Sequence, residues 1–246
     1  MPSRKRNTDR PTGAVSIFEA VESPTAALSK RDAIVAAATR AFLRHGYESA
    51  SMDLVAQEAD VARRTLYNQF PAGKEALFRA VVERVWSAFP VLDIVAETES
   101  QADPEIGLRR IATAVAAFWE PPLAIDFLRM VIAEGPRFPD LTDSFFKHGK
   151  TPAMSAVRAY LEKQAALGTL AIKDSERATR QFLGLIDEPL LWIRVLGREE
   201  KFTRTQRQAV IDEAMAIFLG HYRAKTSAPI ATATPSRTRA KAGKAA

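Results

Sequence analysis

Apolar residues recur with a spacing of three and four positions from about Ser29 to about Tyr222, which is the pattern of amphipathic helices. No stretch alternates apolar and polar residues with the period of two that a half-buried strand shows. The first helix opens at Ser29, carries Ile34 and Phe42 on one apolar stripe, and ends at Gly46, a residue that readily takes the left-handed conformation. The pattern therefore predicts an all-α fold.

Two short helices follow the first one in quick succession. Ser51 is placed to cap the segment "MDLVAQEA", and a four-residue turn, "ADVA", leads to a third helix that begins near Arg63. A longer helix followed by two short helices joined by a tight turn is the spacing of a helix-turn-helix unit. We assign this three-helix domain to residues 28–74.

The third helix has a buried side and a polar side when its residues are projected at about 100° each. Leu66 and Phe70 lie four positions apart and mark the buried side. Arginine suits guanine edges, asparagine suits adenine edges, and threonine and tyrosine suit phosphates or a thymine methyl group. The candidate DNA-reading residues are Arg64, Thr65, Tyr67 and Asn68 on the outward face, with Arg63 at the helix start.

An ordinary solvated basic helix would show a similar outward face. The preceding helix-turn spacing favours DNA binding, and so does the segment "PAGK" that follows. Pro71 stops the third helix, whereas Gly73 and Lys74 start a new one and direct an amine and backbone N–H groups at a phosphate. We therefore predict that this unit binds double-stranded DNA.

Residues 75–223 carry the rest of the helical pattern and predict a larger second domain. The predicted helices are the segment from Lys74 towards Phe89, the segment after Asp103-Pro104, the segments "EPPLAIDFLRMVIAEG", "PDLTDSFFKHG" and "TPAMSAVRAYLEKQAALG", and two that run from about Asp174 to Leu196 and from about Thr205 to Tyr222. Asp and Pro at a helix start act as cap and first helical residue.

The last two helices are more apolar than a single core-facing stripe requires. The segment "FLGLIDEPLLWIRVLG" is apolar almost all round, and the final helix adds Val210, Ile211, Ala214, Met215, Ile217, Phe218 and Tyr222. Two such helices from each of two subunits would form a four-helix interface. The alternative is a central buried helix in a monomer.

Composition narrows the class of protein. The chain has no cysteine, which excludes disulfides and thiolate metal sites, and no apolar run of about 18 residues that could span a bilayer. The segment 223–246 has six basic residues and no acidic one, so it accounts for the whole net charge of +6, and the charges of residues 1–222 cancel. The high pI therefore reflects mainly this segment and is not by itself an argument for DNA binding. We expect a cytoplasmic protein with a disordered basic arm at residues 1–27 and a disordered basic tail at residues 224–246.

Residues 30–85 closely resemble the DNA-binding domain of TetR/AcrR-type regulators. The matching elements are "AIVAAATRAFLRHGYESASMDLVAQEADV", "TLYNQF" and "KEALFRAVV". The resemblance implies that the residues of the third helix named above meet DNA and that Ser51 and Lys74 hold phosphates. Two positions depart from the family pattern: Asp60 stands where the turn usually has Gly, and Ala62 stands where Ser or Thr often caps the recognition helix.

The stretch "FLRMVIAEGPRFPDLTDSFF" resembles the C-terminal domains of an AefR-like branch of the same superfamily. The resemblance implies that the second domain binds a small-molecule effector and forms the homodimer. Large side chains in the helices that line the cavity in this superfamily are the candidate ligand contacts, although aromatic residues at helical spacing are more often plain core. The candidates are Trp86, Phe89, Phe118, Trp119, Phe127 and Met130, with Phe138 nearby.

Two other functions were weighed against a regulator. His45, His148 and His221 lie at the ends of separate elements, and no metalloprotease motif, phosphate loop, dinucleotide turn or nucleophile elbow is present, so we predict no enzymatic activity, cofactor or metal site. A DNA-compacting protein would have no use for the large apolar second domain. The prediction is a ligand-responsive transcriptional regulator, most simply a repressor, that binds a palindromic operator as a homodimer.

Overall fold

A computed structural model describes residues 29–198 and 200–224. Across these ranges the regular structure is helical, with no strand and with one isolated β-bridge between Leu170 and Arg223. The predicted arm at residues 1–27 and the predicted tail beyond residue 224 lie outside the described residues. No single described helix is long and apolar enough to cross a bilayer, although Pro104–Phe118 and Pro122–Glu134, bent by 78°, reach that length and composition as a pair.

Four helices form the N-terminal part. They are α1 (Lys30–Ser49), α2 (Met52–Glu58), α3 (Arg63–Gln69) and α4 (Gly73–Trp86). The Ser29 hydroxyl accepts a hydrogen bond from the Asp32 backbone N–H at 3.1 Å, as the predicted cap requires. Gly46 has φ 75° and breaks α1 where the sequence predicted its end; the short turn after it remains helical as far as Ser49.

In the described part of the C-terminal region there are nine further helices, and several start with proline at a position where its missing N–H costs nothing. They are α5 (Val91–Ala96), α6 (Thr98–Ala102), α7 (Pro104–Phe118), α8 (Pro122–Glu134), α9 (Pro139–Phe145), α10 (Thr151–Ala166), α11 (Ser175–Asp187), α12 (Ile193–Val195) and α13 (Arg204–Tyr222). The apolar spacing did not predict the short helices α5 and α6.

Two π-helical turns interrupt the helical pattern. The first, Phe146–Lys150, joins α9 to α10, and the second, Glu188–Trp192, joins α11 to α12. Pro189 lies inside the second and has no N–H for an α-helical hydrogen bond. The helix predicted from about Asp174 to Leu196 is therefore present, with a π-helical turn inside it. Pro152 follows the first turn, and it also has no N–H to donate an α-helical hydrogen bond to the preceding residues.

Two hydrophobic cores hold the helices together. The first contains side chains from α1 to α4 and also from α8 and α9; Phe78 of α4 stacks on Phe127 of α8 with ring centroids 6.0 Å apart. The second lies among α5, α7, α10, α11 and α13, where the rings of Phe182 and Phe218 are 5.0 Å apart. The first core therefore crosses the predicted boundary between residues 74 and 75.

Candidate functional site

The turn between α2 and α3 has the backbone that a helix-turn-helix unit needs. Asp60 adopts φ 50°, the left-handed conformation that Asp tolerates better than most residues. The Ser51 hydroxyl accepts a hydrogen bond from the Leu54 N–H at 3.1 Å and so caps α2. Ala62 precedes α3 with extended backbone angles and gives no side-chain cap. Leu66 is fully buried and fixes the orientation of α3.

The outer face of α3 is open to solvent. Arg63, Arg64, Tyr67 and Asn68 are exposed, and Thr65 is half-buried at the edge of this face. A helix of seven residues thus presents all five side chains that the sequence predicted to meet DNA. We call these five residues the reading face. They offer a planar guanidinium fork, an amide and two hydroxyl groups, which are the groups that pair with base edges and phosphates.

The two arginines of the reading face differ in their contacts. The Arg63 Nε lies 2.9 Å from Asp53 Oδ1, and the guanidinium carbon lies 5.7 Å from the centre of the Tyr67 ring. The Tyr67 hydroxyl and the Asp53 charge raise the pKa of Arg63 above its ordinary value. Arg64 has no hydrogen bond or ion pair with any described residue and extends into solvent.

Lys74 lies at the start of α4, where its ammonium is tied to the N-terminal part. Its Nζ donates a hydrogen bond to the Glu48 carbonyl oxygen at 2.8 Å and lies 4.5 Å from the centre of the Tyr47 ring. Burial lowers the pKa of Lys74, and the nearby charges of Glu134 and Glu48 oppose that shift. An ammonium carries three protons, so this geometry leaves donors that a phosphate could accept.

Sequence reasoning did not single out Arg31, which lies next to the end of the recognition helix. Its Nη1 is 3.4 Å from the Gln69 carbonyl oxygen, and its guanidinium lies 4.5 Å from the centre of the Phe70 ring. The contact joins the first turn of α1 to the last turn of α3, 38 positions later. A lone arginine in a solvated first turn gives no sequence signal for such a contact.

A second candidate site is a cavity of about 100 Å³ in the C-terminal part. Four of the six predicted ligand contacts, Trp86, Phe89, Phe118 and Trp119, line it, and the rings of Trp86 and Phe118 stack with centroids 4.9 Å apart. Phe127 and Met130 do not line it; both are buried in the first core. We call this space the aromatic cavity.

The aromatic cavity has a polar end that the sequence analysis did not identify. Asp187 and Lys150 are its only charged lining residues among those described. The Asp187 Oδ1 is shielded from solvent and has no hydrogen-bond partner. Burial raises the pKa of Asp187 to about 6, against the opposing effects of the Lys150 charge and a hydrogen bond from Trp119. Asp187 had been assigned, with its whole segment, to a dimer interface.

A wider cleft of about 620 Å³ lies beside α8 and the residues between α12 and α13. Two of its arginine side chains donate hydrogen bonds to backbone carbonyl oxygens of the protein and so stabilise the fold. The Arg129 Nε donates to the Val195 carbonyl oxygen at 3.0 Å, and Arg194 donates to the Glu120 carbonyl oxygen at 3.1 Å. Asp126, which also lines the cleft, forms an ion pair with Arg129 at 3.2 Å. The smaller aromatic cavity is therefore the better candidate.

Two parts of the chain match known protein families. Residues 34–81 match the family described as bacterial regulatory proteins, tetR family. Residues 106–224 match the family described as AefR-like transcriptional repressor, C-terminal domain. The chain belongs to the TetR family. It is a DNA-binding transcriptional regulator with an AefR-like C-terminal domain, and it is not an enzyme.

Solved structures agree with the TetR assignment. The flavonoid-responsive regulator FrrA is 28% identical, with a TM-score of 0.66 over 80% of this chain and 98% of that one. A protein described as a TetR-family transcriptional regulator from Mesorhizobium loti is 26% identical, with a TM-score of 0.65 over 79% and 96%. A TetR-family regulator from Pseudomonas syringae is 25% identical, with a TM-score of 0.62 over 79% and 97%. No curated protein matches the chain.

The TetR regulator offers no evident metal site in the part described. Within residues 29–198 and 200–224, no group of three or more His, Asp or Glu side chains is arranged to hold a metal ion. Of the three histidines, His45 lies 3.9 Å from Glu58, which also pairs with Arg40 and Arg44, and His148 lies 3.5 Å from Glu83.

Proposed function

We propose that this TetR-family protein is a cytoplasmic repressor that binds a palindromic operator as a homodimer and leaves it when a small molecule occupies the aromatic cavity. In this proposal residues 28–74 read DNA, and residues 75–223 bind the effector and the second subunit. The observation that carries it is the reading face, which is solvated on one side of α3 while Leu66 and Phe70 anchor the other side in the core.

In the proposed complex, α3 lies in the major groove. Arg64 is the base-reading arginine because no described residue pairs with it, and Asn68 is suited to an adenine edge. Arg63 meets DNA once it leaves Asp53, while Thr65 and Tyr67 contact phosphate or a thymine methyl group. Ser51 and Lys74 hold phosphates on either side; the hydroxyl proton of Ser51 is available because its oxygen is the acceptor in the α2 cap.

The proposed dimer uses the surface formed by α11 to α13. Trp192 is 46% exposed, Leu196 is 82% exposed and Ile217 is 52% exposed, although all three are large and apolar. Other apolar residues of α13, such as Phe218, are buried within the subunit and do not contribute to this surface. A two-fold axis through the surface would give the two α3 helices the symmetry of a palindromic operator.

The proposed effector acts through α4. This helix begins at Gly73, shortly after α3 ends at Gln69, and it ends at Trp86, which lines the aromatic cavity. A ligand that shifts Trp86 therefore acts on the same rigid helix that supports the DNA-binding domain. A small-molecule effector is also supported by the likeness to FrrA, a regulator that responds to flavonoids.

Selection of bound DNA from a random pool, followed by footprinting, tests the proposal. A regulator of this kind enriches one palindromic sequence and protects two half-sites about one helical turn apart. The full chain should bind that sequence on the order of a thousandfold more tightly than random DNA at physiological salt. Binding without sequence preference would instead indicate a DNA-compacting protein and would overturn the proposal.

A further inference from the structure

The polar end of the aromatic cavity limits the chemistry of its ligand. Asp187 is the last residue of α11, and the π-helical turn at Pro189 begins directly after it. Both π-helical turns border the cavity: Lys150 ends the first, and Leu191 and Trp192 lie in the second. Such turns often mark functional sites because they change the direction of side chains within a helix.

We propose that the aromatic cavity binds an uncharged monocyclic aromatic alcohol of the phenol class, whose hydroxyl group donates a hydrogen bond to Asp187 Oδ1. This inference rests on the proposed function in taking the cavity as the effector site. It adds the chemical class of the ligand and the residue that selects it.

The walls of the cavity specify an aromatic ring of small size. Trp86, Phe89, Phe118 and Trp119 surround the space with aromatic faces and edges, which favour stacked and edge-on contacts with another ring. A well-known engineered apolar cavity of about 150 Å³ holds one benzene molecule. The volume of about 100 Å³ is smaller than that, so it excludes a fused ring system and leaves room for one ring at most.

The hydroxyl group is specified by the unpaired carboxylate oxygen. Asp187 Oδ1 is already removed from solvent in the folded protein, so a ligand that donates to it gains a charge-assisted hydrogen bond without exposing a new polar group. An aromatic hydrocarbon of the same shape would leave the oxygen unpaired. Sites built to pair a ligand hydroxyl reject the analogue that lacks it for this reason.

The absence of charge on the ligand follows from Lys150. Its positive charge already acts on Asp187 and opposes the rise in the pKa of that carboxyl group that burial causes. An ammonium ligand would bring a second positive charge close to Lys150, whereas a carboxylate ligand would be repelled by Asp187. A neutral donor avoids both penalties.

The backbone at Gly149 is shaped to let the Trp86 indole form one wall. A Cβ atom at Gly149 would lie 2.1 Å from Trp86 Nε1, well inside contact distance. Any larger residue would push the indole out of place, so glycine is required for the cavity as it stands. The indole is thereby fixed between the π-helical turn and the ring of Phe118.

Calorimetric titration of the full-length protein, without DNA, tests the inference with four probes of similar shape. Phenol should bind about tenfold more tightly than toluene, and benzylamine and benzoate should both bind more weakly than phenol. Equal affinity for phenol and toluene would overturn the assignment of Asp187. Tighter binding of benzylamine would indicate a cation site, and no binding of phenol would reject the ligand class.

Variants of Asp187 test whether its carboxylate causes the preference for phenol over toluene. Asp187→Leu should reduce the preference for phenol over toluene to about twofold or less. Asp143→Leu, the same substitution at an exposed aspartate that does not line the cavity, should leave the preference intact. If Asp187→Leu does not fold, Asp187→Asn keeps the shape and should still weaken phenol selectively. A preference that survives every change at Asp187 would overturn the inference.

Operator binding is measured separately, so that the two proposals fail independently. If phenol binds as described but does not release the selected operator, the ligand site stands and the effector role is wrong. If another compound releases the operator and phenol does not bind, the repressor stands and the inference about the ligand class is wrong.

Discussion

At the residue scale, the neighbouring residues Arg63 and Arg64 differ in their contacts within the protein before DNA binds. Arg63 is held by Asp53 and Tyr67, so its use on DNA requires the exchange of one partner for another. Arg64 has no such partner among the described residues, so it gives up no contact within the protein when it binds a base. Sequence-specific readout should therefore depend more on Arg64 than on Arg63.

Arg64→Ala should weaken operator binding by about 1–3 kcal/mol per half-site and relax the preference at one base position, because a bidentate guanine contact is lost. Competition binding against operators with single base changes measures both effects. Arg158→Ala, which removes an exposed arginine in α10, is the control and should change neither. If the base preference stays the same at every position, Arg64 does not read the operator.

Lys74→Ala should weaken binding to all DNA sequences and reduce the salt dependence of binding by about one unit per subunit, because a phosphate contact is lost. The hydrogen bond to the Glu48 carbonyl oxygen is lost as well, so the melting temperature should also fall. Titrations at several salt concentrations separate the two effects. A lower melting temperature with an unchanged salt slope would assign Lys74 a structural role only.

Asp187 should make the stability of the protein depend on pH. Its pKa is raised from an ordinary value of 3.8 to about 6, so the folded protein binds this proton more tightly than the unfolded chain does. The contribution of Asp187 is therefore most favourable below the lower value, falls as pH rises towards the higher one, and is constant above it.

Asp187→Asn removes that charge and should raise the free energy of unfolding by about 1–3 kcal/mol at neutral pH, with a much smaller gain in mild acid. Urea unfolding at about pH 4.5 and about pH 7.5 measures the difference. Asp143→Asn is the exposed control. An equal effect of Asp187→Asn at both pH values would show that the carboxyl group is not perturbed by burial.

At the scale of single elements, the recognition helix lacks a stabilising contact at its start. Ala62 has the extended backbone angles of an N-cap, φ −64° and ψ 142°, but no side chain that can accept a hydrogen bond. The first turn of α3 therefore depends on packing of Leu66 and Phe70 rather than on capping.

Ala62→Ser should stabilise the protein by about 0.5–2 kcal/mol, because a serine hydroxyl at this position can accept a hydrogen bond from the first turn of α3. Ala72→Ser is the matched control: Ala72 also precedes a helix and is also exposed, but its ψ of 13° does not suit a cap. Chemical unfolding of both variants is the measurement. Equal gains at the two positions would contradict the capping explanation.

The elements that the sequence predicted best are those with strong local signals. Ser29, Gly46, Ser51 and Pro71 mark helix ends, and the apolar spacing between them identified α1 to α3 and the reading face. The helices α5 and α6 are too short to show a period. The helix from about Asp174 to Leu196 was predicted, but its apolar spacing gave no sign of the π-helical turn at Pro189.

The ligand cavity could be predicted only in part, because its lining comes from distant segments. Aromatic residues of α4 and α7 were identified through the family resemblance, and four of the six candidates line the cavity. Phe127 has the same local pattern but points into the first core. Asp187 and Lys150 are brought together by two π-helical turns that no local spacing rule describes.

At the scale of the whole molecule, the exposed apolar surface of α11 to α13 predicts that the protein works as a dimer. Leu196→Asp or Ile217→Asp should give monomers that fold normally and lose tight operator binding, because a charge is placed in the proposed interface. Analytical ultracentrifugation and circular dichroism provide the measurement. Leu167→Asp, at a residue that is 59% exposed at the end of α10, is the control. A persistent dimer in both interface variants would place the interface elsewhere.

The first hydrophobic core has a consequence for the construction of chimeric sensors. Side chains of α8 and α9 fill the same core as those of α1 to α4, and a Cβ atom at Gly46 would lie only 2.7 Å from Glu134 Oε1. In a hybrid that joined residues 28–74 to the C-terminal half of another protein, the core-facing side chains of the two parts would therefore not pack against each other. Retargeting of this regulator to new operators is better done by exchanging the reading face on α3, since those side chains touch solvent and leave the shared core unchanged.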